Sequence, residues 1–194
     1  MKNVSKFGYF QNLFNEIKGS LVGNGYDIKF YDNFGKNRLN INGDKILVSG
    51  NLREEASYDV NGQITNFYNL SSVITLTVDG KDLQSSGDTI LFIGKGIEPI
   101  INFSIESIES NSESLKDITS LNFLINAYKN FIGKKRVVII KSQFGVPICA
   151  FEGDDIFWEI SKGLPKMTKL MIDGKPLYIH RANFQIIDAS FIKE

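Results

Sequence analysis

The sequence is poor in the residues that carry most enzyme chemistry. Its 194 residues include one cysteine, one histidine and one tryptophan. A single cysteine, Cys149, excludes a disulfide scaffold and any cysteine-based metal cluster. A single histidine, His180, excludes zinc sites built on several imidazoles. Net charge is absent too, since 22 Lys and Arg balance 22 Asp and Glu. No run approaches the roughly 18 apolar residues of a membrane-spanning helix. After Lys2 there is no apolar stretch ending in small residues, so the chain is expected in the cytoplasm, or in a virion assembled there. Prolines number 4, alanines 5 and arginines 4.

What is abundant points to β structure. Ile occurs 26 times, Phe 15 and Tyr 7. These side chains fit pleated, half-buried surfaces, whereas alanine, the best helix former, is scarce. Tyr26, Ile28 and Phe30 alternate with polar positions, as do Leu39 and Ile41, then Ile74, Leu76 and Val78, then Ile101, Phe103 and Ile105. Alternation of this kind places one sheet face on the core and the other in solvent, as antiparallel sheets do. Thr89–Ile93 is apolar throughout its centre and Val137–Ile140 is apolar without a break, which predicts buried strands. Ile148–Phe151, Ile156–Ile160, Lys169–Ile172, Pro176–Ile179 and Phe184–Ile187 complete the strand candidates. Four β-branched residues precede Asn-Gly or Asp-Gly, at Asn42-Gly43, Asn61-Gly62, Asp79-Gly80 and Asp173-Gly174. Such dipeptides accept the positive φ of tight hairpin turns.

Two stretches have helical period. Phe10, Leu13, Phe14, Ile17 and Leu21 share one stripe over residues 7–22, and Leu115, Ile118, Leu121, Ile125, Tyr128 and Ile132 share another over 113–132. The expected fold is therefore α+β and β-dominated. Antiparallel, hairpin-rich sheets form a sandwich or open barrel, joined by two amphipathic helices. A single domain over 1–194 fits the length, with a division into 1–110 and 111–194 as the alternative, jointed at the Ser- and Glu-rich Ser107–Ser114. Leu76–Leu83 parallels Leu170–Leu177 at an offset of 94. That is either a duplication or the recurrence of a common Asp-Gly-Lys hairpin tip; shifting the first helix by the same offset misses the second.

Glu152, Asp154, Asp155 and Glu159 form the best oxygen-ligand candidate, although Glu152–Asp155 also reads as a solvated turn. Cys149, between Ile148 and Ala150, reads as a small buried hydrophobe, and no local signature pairs it with His180. Gly94-Lys95-Gly96 lacks the ending of a phosphate-binding loop and reads as a turn. Lys134-Lys135-Arg136 is the one basic run and suits a helix C-terminus. No catalytic, cofactor-binding or metal-binding residue is assigned, and no cofactor is expected.

These readings favour a non-enzymatic assembly subunit that contacts other proteins or copies of itself. Phe10, Phe14 and Ile17 are its candidate interface residues. Over residues 1–80 the order of a helix followed by antiparallel strands resembles small tail-completion and connector proteins of bacteriophages. That resemblance implies a component of a viral particle. A single-stranded nucleic-acid-binding protein, stacking bases on some of the 23 aromatic residues, is the alternative. An enzyme using carboxylates such as Asp154 and Asp155 comes third. No membrane partner is expected.

Overall fold

The computed structural model describes residues 18–103, 133–160 and 166–193. These residues are strand-rich, with antiparallel pairing throughout, as the composition requires. The strands are β1 (Lys18–Tyr31), β2 (Asn37–Tyr58), β3 (Ile64–Val78), β4 (Lys81–Ser86), β5 (Thr89–Gly94), β6 (Ile101–Asn102), β7 (Arg136–Lys141), β8 (Pro147–Gly153), β9 (Ile156–Ile160), β10 (Met167–Ile172), β11 (Lys175–His180) and β12 (Asn183–Asp188). A short helix, α1 (Ser190–Lys193), follows β12.

The chain divides into two compact units. The first includes residues 18–22 and 44–87. There β3 lies between β2 and β4, with Ile46 opposite Val78 and Leu76 opposite Leu83. Ile46, Val48, Ile74, Leu76 and Val78 are buried, so the alternation read in the sequence is the core-facing register. Beyond a register shift between Gly50 and Leu52, the hairpin continues outward, pairing Leu52 with Leu70 and Tyr58 with Ile64. The second unit includes residues 23–43, 88–103, 133–160 and 166–193. Its first sheet runs β1-β5-β11-β10-β9 and its second β12-β7-β8-β6. Tyr31, Leu91, Ile93, Leu170, Leu177 and Ile179 from the first sheet pack on Val138, Ile140, Ile148 and Phe151 from the second. Val137 and Ile139, on the other face of β7, pack with Ile101, Phe103, Ala150 and Ala189. Burial on both faces explains why β7 is apolar without interruption, and the same holds for β5.

Two sequence expectations are corrected. The first helix cannot extend over 18–22, because β1 begins at Lys18 and Leu21 is a buried strand residue. Gly19, Gly23 and Gly25 weaken helix here, and Gly25 adopts φ 91°. Residues 7–17 of that helix and the whole of the 113–132 helix lie outside the described residues, as does the Ser107–Ser114 joint. Asn42-Gly43 is not a turn: β2 runs through it without a break. Gly43 is buried there, and its place inside a long strand overrides the local turn preference of the dipeptide. The turns at Asn61-Gly62, Asp79-Gly80 and Asp173-Gly174 form, with each glycine at positive φ.

The parallel between Leu76–Leu83 and Leu170–Leu177 belongs to a duplication of the whole strand set. β1 to β5 correspond to β7 to β12, with β8 and β9 together matching β2. Three strand pairs repeat in register: β1–β5 as β7–β12, β2–β3 as β9–β10, and β3–β4 as β10–β11. Tyr31 opposite Thr89 becomes Lys141 opposite Asn183, and Tyr26 opposite Gly94 becomes Arg136 opposite Asp188. Ile46 opposite Val78 becomes Ile156 opposite Ile172, and Leu76 opposite Leu83 becomes Leu170 opposite Leu177. Irregular features repeat as well. Asp79 and Asp173 both adopt φ 48°. Asp79 accepts the N–H groups of Asp44 and Lys45, and Asp173 accepts those of Asp154 and Asp155. Gly87 at φ 93° is matched by Arg181 at φ 55°. The repeats differ mainly in one hairpin. The first carries the long β2–β3 extension where the second has the short β9–β10 connection.

Candidate interaction surface

Three hairpin tips are built to one plan: a capping Asp or Ser, two residues, a glycine at positive φ and a closing residue. In Asp32–Lys36, the Asp32 N–H donates to the Lys36 carbonyl and the Gly35 N–H to the Asp32 carbonyl, both at 3.0 Å. Asp59–Gln63 repeats both bonds at 3.0 Å, and Ser142–Val146 repeats them at 2.7 and 2.9 Å. The cap side chains close each loop further. Asp32 Oδ1 accepts from the N–H groups of Phe34 and Lys36, Asp59 Oδ1 from those of Asn61 and Gln63, and Ser142 Oγ from that of Val146. Glycine is needed at the fourth position because φ there is 78°, 78° and 83° for Gly35, Gly62 and Gly145.

Two of these tips, equivalent in the duplication, meet in the second unit. Ser142 Oγ donates to the Asn33 carbonyl at 2.6 Å, and Gln143 Nε2 to Asn33 Oδ1 at 3.2 Å. Arg181 holds Gln143 Oε1 at 3.0 Å, and Asn183 Nδ2 donates to the Ser142 carbonyl at 3.1 Å. On these pinned loops Phe34 and Phe144 stand edge to face, with ring centroids 5.7 Å apart and planes at 83°. Both rings remain largely in solvent, at 72% and 64% exposure. Single exposed hydrophobics are ordinary. Two aromatic rings set against each other on hydrogen-bonded loops form an exposed apolar knob. In the first unit the Asp59–Gln63 tip is apolar as well, with Tyr58, Val60 and Ile64 exposed.

The sequence candidates fall elsewhere. Phe10, Phe14 and Ile17 lie outside the described residues. Three of the four carboxylates are engaged locally, and the fourth residue, Asp155, is held through its backbone. Glu152 accepts the Gly133 N–H, Asp154 pairs with Lys134 at 2.7 Å, the Asp155 N–H donates to Asp173, and Glu159 pairs with Lys169 at 2.8 Å. The Lys134 ammonium holds the Asp154 carboxyl below the ordinary carboxylate range. Of the basic run, Lys134 is thus in an ion pair and Arg136 donates to the Ile156 carbonyl. Cys149 is fully buried in β8, and desolvation pushes its thiol up to about 12, which removes thiolate chemistry. His180 ends β11 and is buried with no hydrogen-bond partner at Nδ1; burial lowers its pKa to about 4. Gly94–Ile97 is a turn closed by the Ile97 N–H on the Gly94 carbonyl, and Lys175 donates to the Gly96 carbonyl. Sequence reasoning missed Phe34 and Phe144. The available signal was the recurrence of a capping residue, an amide, Phe and Gly in Asp32-Asn33-Phe34-Gly35 and Ser142-Gln143-Phe144-Gly145.

Fold and surface together define a duplicated antiparallel β protein with aromatic hairpin tips. The chain belongs to the family described as a domain of unknown function (DUF5052), whose model matches residues 1–192. No curated protein matches the chain. No solved structure matches it. No helix among the described residues is long and apolar enough to cross a membrane.

Proposed function

We propose that the protein is a non-enzymatic assembly subunit that docks on a neighbouring protein through the Phe34–Phe144 knob. The observation that carries this reading is the fixed, solvent-facing pair itself. Holding both loops by side-chain and backbone bonds removes the ordering cost that binding would otherwise incur. Aromatic anchors on such rigid supports supply most of the energy of protein interfaces. The engaged state of Glu152, Asp154 and Glu159, and of Lys134 and Arg136, gives less support to carboxylate catalysis or to a basic nucleic-acid groove. The bacteriophage-particle form of the proposal rests on the order of elements in the sequence.

The test is light scattering coupled to size-exclusion chromatography on wild type and on the double variant Phe34→Ser, Phe144→Ser. A defined ring, stack or heteromeric complex that the double variant loses, with circular dichroism and melting unchanged, is the expected result. A wild-type monomer that shifts only on adding a single-stranded oligonucleotide refutes the proposal and selects the alternative. Finding the chain in purified particles tests the viral setting.

A further inference from the structure

The duplication gives two equivalent strands, β5 and β12, with different surroundings. In β5 the Lys95 N–H donates to the Gly25 carbonyl, which fixes the alternation along the strand. Thr89, Leu91 and Ile93 therefore bond to β1, while Ile90, Phe92 and Gly94 turn their backbone groups the other way. On that side lies β11, with His180 opposite Ile90 and Tyr178 opposite Phe92. In β12 the matching bond joins the Ala189 N–H to the Lys135 carbonyl at 2.8 Å. Asn183, Gln185 and Ile187 thus bond to β7, and Phe184, Ile186 and Asp188 turn their N–H and C=O groups outward. Among the described residues no strand lies on that side, and β12 ends its sheet.

An edge of this kind is normally blunted by proline, lysine, a bulge or a cover. β12 has none of the first three: it reads Asn-Phe-Gln-Ile-Ile-Asp and pairs with β7 without a register shift. Its half-buried Phe184, Ile186 and Ile187 make it an apolar edge at a position where the sister repeat accepts an antiparallel strand. The residue types show how the site differs from β5. A Cβ at Gly94 would lie 2.6 Å from the Pro176 carbonyl oxygen, so close strand cover demands glycine there. The equivalent residue in β12 is Asp188, and an occupant has to stop short of it.

We propose that β12 is a self-association edge, to which a second copy of this chain adds its own β12 antiparallel, with Gln185 opposite Gln185 of the partner subunit. This register pairs outward-bonding residues with outward-bonding residues. It sets Phe184 against Ile186 of the partner subunit and leaves Asp188 beyond the paired segment. The register centred on Ile186 would place Phe184 against the carboxylate of Asp188 of the partner subunit. The two-fold arrangement is closed, and it joins two four-stranded sheets edge to edge. It goes beyond the knob proposal and stands on the strand pairing alone.

The experiment uses the full chain with Gln185→Cys. Opposed residues of a non-hydrogen-bonded antiparallel pair have Cα atoms about 4.5 Å apart, within disulfide range. Cys149, buried in β8, does not compete. Mild oxidation should convert the variant to a covalent dimer, while Lys95→Cys, on a turn, stays monomeric. Gln185→Glu keeps a partner for Lys141 but opposes two carboxylates across the two-fold axis, and should weaken dimerisation about tenfold by sedimentation with unchanged melting. The cross-link should also form in the Phe34→Ser, Phe144→Ser background, which separates this edge from the knob. A folded Gln185→Cys chain that resists oxidation to the dimer, or a dimer indifferent to Gln185→Glu, overturns the proposal.

Discussion

Acid should destabilise this protein through His180 before it does so through the carboxylates itemised above. The imidazole is 3% exposed, and burial lowers its pKa from 6.5 to about 4. Its Nδ1 has no partner, so a proton added there meets no acceptor. In the unfolded chain the ring takes up a proton near its ordinary pKa, whereas the folded chain refuses it until about pH 4. The unfolded state therefore binds more protons between these values, and stability falls as pH falls through that window. The whole shift corresponds to about 3 kcal/mol at roughly 1.4 kcal/mol per unit, of which about 2 kcal/mol is lost between pH 7.5 and 5. That is a large share of the roughly 5–15 kcal/mol that ordinary domains possess. Hydrogen bonds hold the carboxyls of Asp79, Asp154 and Asp188 low, helped by nearby lysines at the first two and by Arg136 at the third. Their contribution persists above the ordinary carboxylate range and is lost below it, so measurements at pH 5 and higher isolate the histidine. Urea unfolding followed by circular dichroism at pH 7.5, 6.5, 5.5 and 5 should show a falling midpoint for wild type. His180→Gln keeps a donor at the site and removes the proton, and its midpoint should stay level over the same range. A wild-type midpoint that does not move, or a variant that falls in parallel with it, refutes the argument.

Two further perturbations test the strand architecture. Gly94→Ala brings a Cβ to 2.6 Å from the backbone of Pro176 and should cost about 1–3 kcal/mol by overpacking, read as a lower urea midpoint with unchanged spectrum. Gly80→Val and Gly174→Val place a β-branched residue at φ 82° and 78°, where nothing crowds the new Cβ. Each should cost about 1–2 kcal/mol through backbone strain alone, and equal melting to wild type in both would contradict the turn geometry.

Much of the β architecture was legible because burial on one face leaves period two in the sequence. Ile156–Ile160 was read with the bounds of β9, and the uninterrupted apolar runs marked β5 and β7, the strands covered on both faces. Local signals failed where long-range pairing decided the outcome. Leu21 completes a helical stripe with Phe10, Phe14 and Ile17, yet it is buried in a strand. Asn42-Gly43 has ideal turn chemistry and yet lies within β2, where Gly43 is buried. The duplication was half visible in Asp79-Gly80-Lys81 and Asp173-Gly174-Lys175. It was hidden elsewhere, since Arg181 occupies the conformation that Gly87 has in the first repeat. The knob could not be read from either phenylalanine separately, because the two tips are brought together by Ser142, Asn33 and Gln143, far apart along the chain.

The seam between β5 and β11 has a consequence for how the protein reaches its native state. The hairpins β3–β4 and β10–β11 close over two residues each and form from local encounters. The β5–β11 pairing joins Ile93 to Leu177 across the intervening strands and must await the ordering of much of the chain. Contacts of such separation slow folding, because the entropy of closing the loop is lost before they stabilise anything. The seam then belongs to the late side of the barrier, and damage to it speeds unfolding while leaving the folding rate nearly unchanged. In a chevron plot, Gly94→Ala should raise the unfolding limb and leave the refolding limb in place; a lowered refolding limb would instead put the seam in the folding nucleus.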